Sequence, residues 1–140
     1  MASNMLVREV MTKNVKVVRE DTNLHEVIAT LSSFEINSLI VVQGERPIGI
    51  VTTKDALVRG FEHGMPVTAI TAGMVASSPL TTINEEATVE EAVRLMKRSK
   101  IKHLPVVSNN KLVGIITDSD IMFAVPSMLS AMEEVCRPQK

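Results

Sequence analysis

Two short segments hold the residues best suited to chemistry: Gly49-Ile50-Val51-Thr52-Thr53-Lys54-Asp55 and Gly114-Ile115-Ile116-Thr117-Asp118-Ser119-Asp120. Each sets a threonine three residues before an aspartate, directly after a β-branched run. At a strand-to-helix junction this spacing makes a helix cap, with the hydroxyl accepting a backbone N–H and the carboxylate favouring the positive helix end. The same corner can also hold a ligand. Helix starts attract anions, and the upstream glycine lets a ligand approach the backbone. The carboxylate itself would repel phosphate but suits the two hydroxyls of a ribose. Thr52, Asp55, Thr117 and Asp120 are therefore candidate ribose and phosphate ligands. A phosphate on such a ligand needs a cation from elsewhere. Lys102 and His103 are candidates, standing where the first copy has Asn37 and Ser38, and Lys54 offers a charge inside the first segment. Each also has a plain structural role, the lysines as solvated charges and His103 as a satisfied surface histidine.

Other chemistry finds little support. The paired glutamates 85-86, 90-91 and 133-134 suit helix starts and solvated faces better than acid–base work. His25, His63 and His103 lack metal-ligand spacing, and the lone Cys136 cannot build a structural zinc site. There is no Walker loop, no Gly-x-Gly-x-x-Gly fingerprint and no nucleophile–base set, so no metal and no enzyme activity are expected. A net charge of −1 with only three aromatic residues gives no footprint for nucleic acid. No apolar run nears the roughly 18 residues of a membrane span. The N-terminus lacks a hydrophobic signal core, so the expectation is a soluble cytoplasmic chain.

The elements that must position these residues come in duplicate. Ile36-Asn37-Ser38-Leu39-Ile40-Val41-Val42 returns as Ile101-Lys102-His103-Leu104-Pro105-Val106-Val107, at the same shift of 65 residues as the threonine–aspartate segments. Each copy has a helix with an expected capping box, Asn23 with Glu26 and Thr88 with Glu91. Its apolar stripe is Leu24, Val27, Ile28 and Leu31 in one copy, and Val89, Ala92, Val93 and Met96 in the other. Hairpins follow around Gly44-Glu45 and Asn109-Asn110. Short strands precede the helices, at 15–18 and 80–83. Before them lie apolar lead-ins ending in Met11 and Met74, whose spacing to the strand differs by two residues, so the shift of 65 is expected only downstream. The division expected is residues 1–63 for the first repeat with its lead-in, 64–125 for the second with a connector, and 126–140 for an amphipathic tail. Repeats of about 60 residues are marginal alone, which predicts one shared core.

Met11 and Met74, the helix–hairpin blocks and both Gly-x-x-Thr-x-x-Asp segments together resemble a tandem pair of CBS domains, the cystathionine-β-synthase type regulatory module. The resemblance covers about residues 6 to 125. It implies an α+β fold of two β-α-β-β-α repeats related by a pseudo-twofold axis, packed through their sheets with two clefts between them. It also implies an adenosine-containing regulatory ligand: AMP, ADP, ATP, S-adenosylmethionine or an NAD-type nucleotide. The family's ribose-holding aspartates and assisting threonines correspond to Asp55, Asp120, Thr52 and Thr117. Its backbone contacts to adenine correspond approximately to Asn14 and Val15, and to Pro79 and Leu80. Basic residues at the positions of Lys102 and His103 reach phosphates in several members. Because those cations sit in one copy, unequal affinities are expected. A homodimer is the family default, with an effector protein as a further partner. The competing readings are an interaction module with empty clefts and, third, a nucleic-acid binder.

Overall fold

The computed structural model describes residues 5–77, 80–126, 132, 133 and 135. In chain order the elements are α1 (Val7–Val10), β1 (Val17–Arg19), α2 (Leu24–Ser33), β2 (Ser38–Gln43), β3 (Arg46–Thr52), α3 (Thr53–His63), α4 (Ala72–Val75), β4 (Ile83–Asn84), α5 (Val89–Ser99), β5 (His103–Ser108), β6 (Lys111–Thr117) and α6 (Asp118–Ala124). They form two three-stranded sheets, ordered β1-β2-β3 and β4-β5-β6. In each sheet the first pair is parallel and the second antiparallel. The α+β architecture of two like repeats is thus present. The opening strands begin at Val17 and Ile83, later than expected.

The capping residues act as their types dictate. Thr52, Thr88 and Thr117 each accept a bond from the backbone N–H three residues on, and the acidic residue there bonds back. Asn23 caps α2 through Glu26 N at 3.0 Å, but Glu26 makes no return bond, so that box is half formed. Asn109 and Asn110 both adopt positive φ, 52° and 65°, in the β5–β6 turn. Asparagine tolerates this conformation better than most residues.

The chain folds into two compact units whose division is not that of the sequence. One unit, here the Asp55 unit, runs from Val15 to Leu80; the other, the Asp120 unit, combines Met1–Asn14 with Thr81–Lys140. Each lead-in thus joins the repeat that does not follow it. Val7 N bonds to Ala87 O at 2.8 Å and Arg8 N to Glu85 O at 3.0 Å, while Thr12 and Ile115 exchange two backbone bonds. In the Asp55 unit, Ala72 N bonds to Thr22 O at 2.7 Å, Gly73 N to Glu20 O at 2.9 Å, and Ser77 N to Ile50 O at 2.8 Å. All these pairs map onto one another at the shift of 65. The register therefore runs through the lead-ins as well. Thr12 corresponds to Ser77 and Met11 to Ala76, which corrects the alignment of Met11 with Met74.

Each unit has its own buried cluster. In the Asp55 unit Leu24, Val27, Leu39, Val51, Ile70 and Val75 are buried together. In the Asp120 unit Val7, Val89, Met96, Leu104, Ile116 and Ile121 are joined by Met132 and Val135 of the tail. A borrowed lead-in contributes to each core. Val7 and Ile70 are fully buried, and burial of such side chains stabilises by roughly 1.5–3 kcal/mol each. Ile28 of the α2 stripe stays 40% exposed, whereas its counterpart Val93 is 5% exposed. Among the described residues no helix is long and apolar enough to cross a membrane.

Candidate functional site

In the Asp120 unit, β6 ends at Thr117 and α6 begins beside it. Asp120 Oδ2 accepts from Thr117 N at 2.9 Å, and Asp120 N donates to Thr117 Oγ1 at 3.2 Å. The other carboxylate oxygen, Oδ1, accepts from Thr12 Oγ1 at 3.4 Å. Across the β5–β6 ladder His103 pairs with Thr117, which sets the imidazole at this corner. Burial lowers the His103 pKa, opposed by the nearby charge of Asp118; Lys102 lowers it further and Asp120 opposes. The net effect is downward, favouring the neutral imidazole. Lys102 is exposed, and its backbone carbonyl accepts from Asp118 N at 3.1 Å.

The Asp55 unit builds the same corner with different neighbours. Asp55 Oδ2 accepts from Thr52 N at 3.1 Å, and Asp55 N donates to Thr52 Oγ1 at 3.1 Å. Ser77 Oγ donates to Asp55 Oδ2 at 3.4 Å. Ser38 pairs with Thr52 where the other unit has His103. Arg59, one helical turn after Asp55, lies 3.8 Å from Asp55 Oδ1 through Nε and donates from Nη1 to Ala76 O at 3.0 Å. A turn later, His63 Nε2 donates to Met74 O at 3.4 Å. Asp55, Arg59 and His63 thus form one stripe along α3 that holds residues 74–77.

The structure brings together Thr52 with Asp55, and Thr117 with Asp120 and His103. Lys54 is exposed. Asn14 belongs to the Asp120 unit, Val15 and Leu80 to the Asp55 unit, and Pro79 lies outside the described residues. Thr12, Ser77 and Arg59 were not foreseen. Thr12 and Ser77 were hidden by the methionine alignment, and extending the shift of 65 upstream finds both. Arg59 had a legible signal, its i+4 spacing from Asp55. Chemically, each corner offers a carboxylate held by backbone, a hydroxyl beside it, and a nitrogen base or cation within reach. Such a set can accept paired hydroxyls and contact an anion. Among the described residues no group of three or more His, Cys, Asp or Glu is placed to hold a metal ion.

Comparison with known proteins agrees with the duplicated architecture. An uncharacterized protein of Methanopyrus kandleri is 32% identical over 130 residues, which is 91% of this chain and 66% of that protein. A crystal structure of Hypoxic Response Protein I with two coordinated zinc ions superposes with a TM-score of 0.80 at 26% identity, covering 87% of this chain and all of the other. A crystal structure of CBSX2 in complex with AMP has the same fold, with a TM-score of 0.76 at 23% identity over 89% of this chain and 98% of that one. The family pattern of the CBS domain matches residues 7–60 and again 72–127, so both threonine–aspartate corners fall inside it and the chain belongs to the CBS-domain family.

Proposed function

We propose that this chain is a non-enzymatic sensor that binds an adenosine-containing ligand, AMP, ADP, ATP or S-adenosylmethionine, at its threonine–aspartate corners. The observation that carries this reading is the matched pair of Asp55 and Asp120. Each has Oδ2 bonded to backbone, which leaves Oδ1 to accept from a ribose hydroxyl, and a serine or threonine hydroxyl lies 3.4 Å from the carboxylate. Arg59 and His103 supply the phosphate contacts, with Lys102 and Lys54 as outer charges. The adenine edge is read by backbone near Asn14, Val15, Pro79 and Leu80. AMP bound to a neighbour of the same fold supports this ligand class. Binding signals by favouring one arrangement of the protein over another.

The active form is a homodimer, with an effector protein as the receiver of the signal. Support for self-association comes from the Asp55 unit, which carries nine exposed large hydrophobic residues against one, Phe123, for the described part of the Asp120 unit. Leu57, 65% exposed, lines a cavity of about 460 Å³ between α2 and α3, and Phe61, one turn further along α3, is 89% exposed. That surface also favours a second reading, a protein-interaction module that needs no nucleotide.

Thermal melts with AMP, ADP, ATP, S-adenosylmethionine and NADH separate the two. A true ligand at 100 times its Kd stabilises by about 2.7 kcal/mol. Asp120→Ala should weaken binding at its corner by at least about tenfold with the fold retained, since hydrogen bonds to charged groups contribute roughly 1.5–3 kcal/mol each. No stabilisation by any of the five leaves the interaction module as the better account.

A further inference from the structure

Arg59 distinguishes the two corners in a way that bears on ligand class. Its guanidinium spans Asp55 Oδ1 at 3.8 Å and Ala76 O at 3.0 Å, while the position 65 residues on is Ala124, which has no charge to offer. Asp55 therefore has a cationic partner on the oxygen that a ribose would use. Among the described residues Asp120 has no ion pair, and its second oxygen meets only the Thr12 hydroxyl.

We propose that Arg59 makes the Asp55 corner selective for phosphorylated ligands, leaving the Asp120 corner open to uncharged or cationic ribose ligands. The inference rests on the adenosine reading above. A ribose that takes Asp55 separates the carboxylate from Arg59. A nucleoside gives the guanidinium nothing in exchange. A nucleotide returns a phosphate, which binds arginine through short charge-assisted bonds and in a two-pronged geometry. A ligand with a net positive charge meets Arg59 as a like charge and is disfavoured. At the Asp120 corner Ala124 takes the place of Arg59, so no guanidinium has to be released from the carboxylate when a ribose binds. Arg59 also holds the backbone at Ala76, next to Ser77. The phosphate-bound guanidinium thus stays within reach of the segment that completes the corner.

The test is equilibrium binding of AMP and adenosine by calorimetry in two backgrounds, Asp120→Ala to isolate the Asp55 corner and Asp55→Ala to isolate the other. In the Asp120→Ala background AMP should bind at least about tenfold tighter than adenosine. Arg59→Met should collapse that ratio by weakening AMP alone, and Arg59→Lys should restore part of it. In the Asp55→Ala background Arg59→Met should leave the ratio unchanged. A purely structural role for Arg59 would weaken both ligands together and keep the ratio, which overturns the proposal. So does an AMP preference that survives Arg59→Met, or an Asp55 corner that binds neither ligand. If the unaltered chain binds no adenosine ligand, the adenosine reading fails and this inference with it.

Discussion

The two units repeat one design, and their differences lie in what touches the second oxygen of the aspartate. In the Asp55 unit three side chains of α3 reach residues 74–77, through Ser77 Oγ, Ala76 O and Met74 O. In the Asp120 unit the matching segment meets α6 through the Thr12 hydroxyl, which donates to Asp120 Oδ1. The backbone seats correspond in position, although Thr12 and Ile115 exchange two bonds while Ser77 N donates one to Ile50 O. What differs is therefore side-chain chemistry, not topology. Duplication supplied two equal corners, and substitution at a few positions gave one a cation and the other a titratable base. The apolar faces diverge likewise. Ile28 is exposed while Val93 is buried in the cluster that includes Met132 and Val135.

The largest expected contrast concerns how tightly each lead-in is seated. A Cβ on Gly114 would meet Thr12 O at 2.8 Å and Met11 Sδ at 2.6 Å, whereas one on Gly49 would meet Ala76 Cβ at 3.0 Å and Ser77 O at 3.4 Å. Gly114→Ala should destabilise by about 1–3 kcal/mol, the usual range for overpacking, and lift Thr12 from Asp120. Gly49→Ala should cost less. Denaturant unfolding of the two variants checks this, and equal losses would break the comparison.

A middle-sized effect is expected from the hydroxyls. Thr12→Val and Ser77→Ala each remove one long hydrogen bond to a carboxylate, and stability should fall by no more than about 1 kcal/mol. Ligand affinity should change at the matching corner only, which titration in the Asp55→Ala and Asp120→Ala backgrounds can resolve.

The smallest effect is a pH dependence belonging to one unit. Burial lowers the His103 pKa, so the folded chain binds fewer protons than the unfolded one below the ordinary histidine value of about 6.5. Stability should fall as pH drops from that value through the lower folded pKa, and His103→Gln should flatten the slope. Phosphate near His103 favours the charged imidazole. Acidification through the same window should therefore strengthen AMP binding at the Asp120 corner, with no matching change at the Asp55 corner, where Ser38 takes the place of His103. An unaltered slope in His103→Gln would remove His103 from the account.

Much of this was legible in the chain itself. Thr52, Thr88 and Thr117 cap because a hydroxyl three residues before an acid satisfies local donors, whatever the rest of the fold does. The hairpins and the two apolar stripes follow from equally local rules, and so does the duplication of the threonine–aspartate corner. The neighbours of each aspartate were not legible, because they arrive from segments distant in sequence. Thr12 reaches Asp120 across 108 positions, and Ser77 reaches Asp55 across 22. The choice between the nearer and the farther repeat for each lead-in rests on backbone bridges and buried surface, and neither leaves a mark in local spacing. Sequence alone determined that there are two corners and what each carboxylate can accept. The tertiary structure decided which lead-in closes which corner, and hence that Arg59 and Ala76 share one site while His103 and Thr12 share the other.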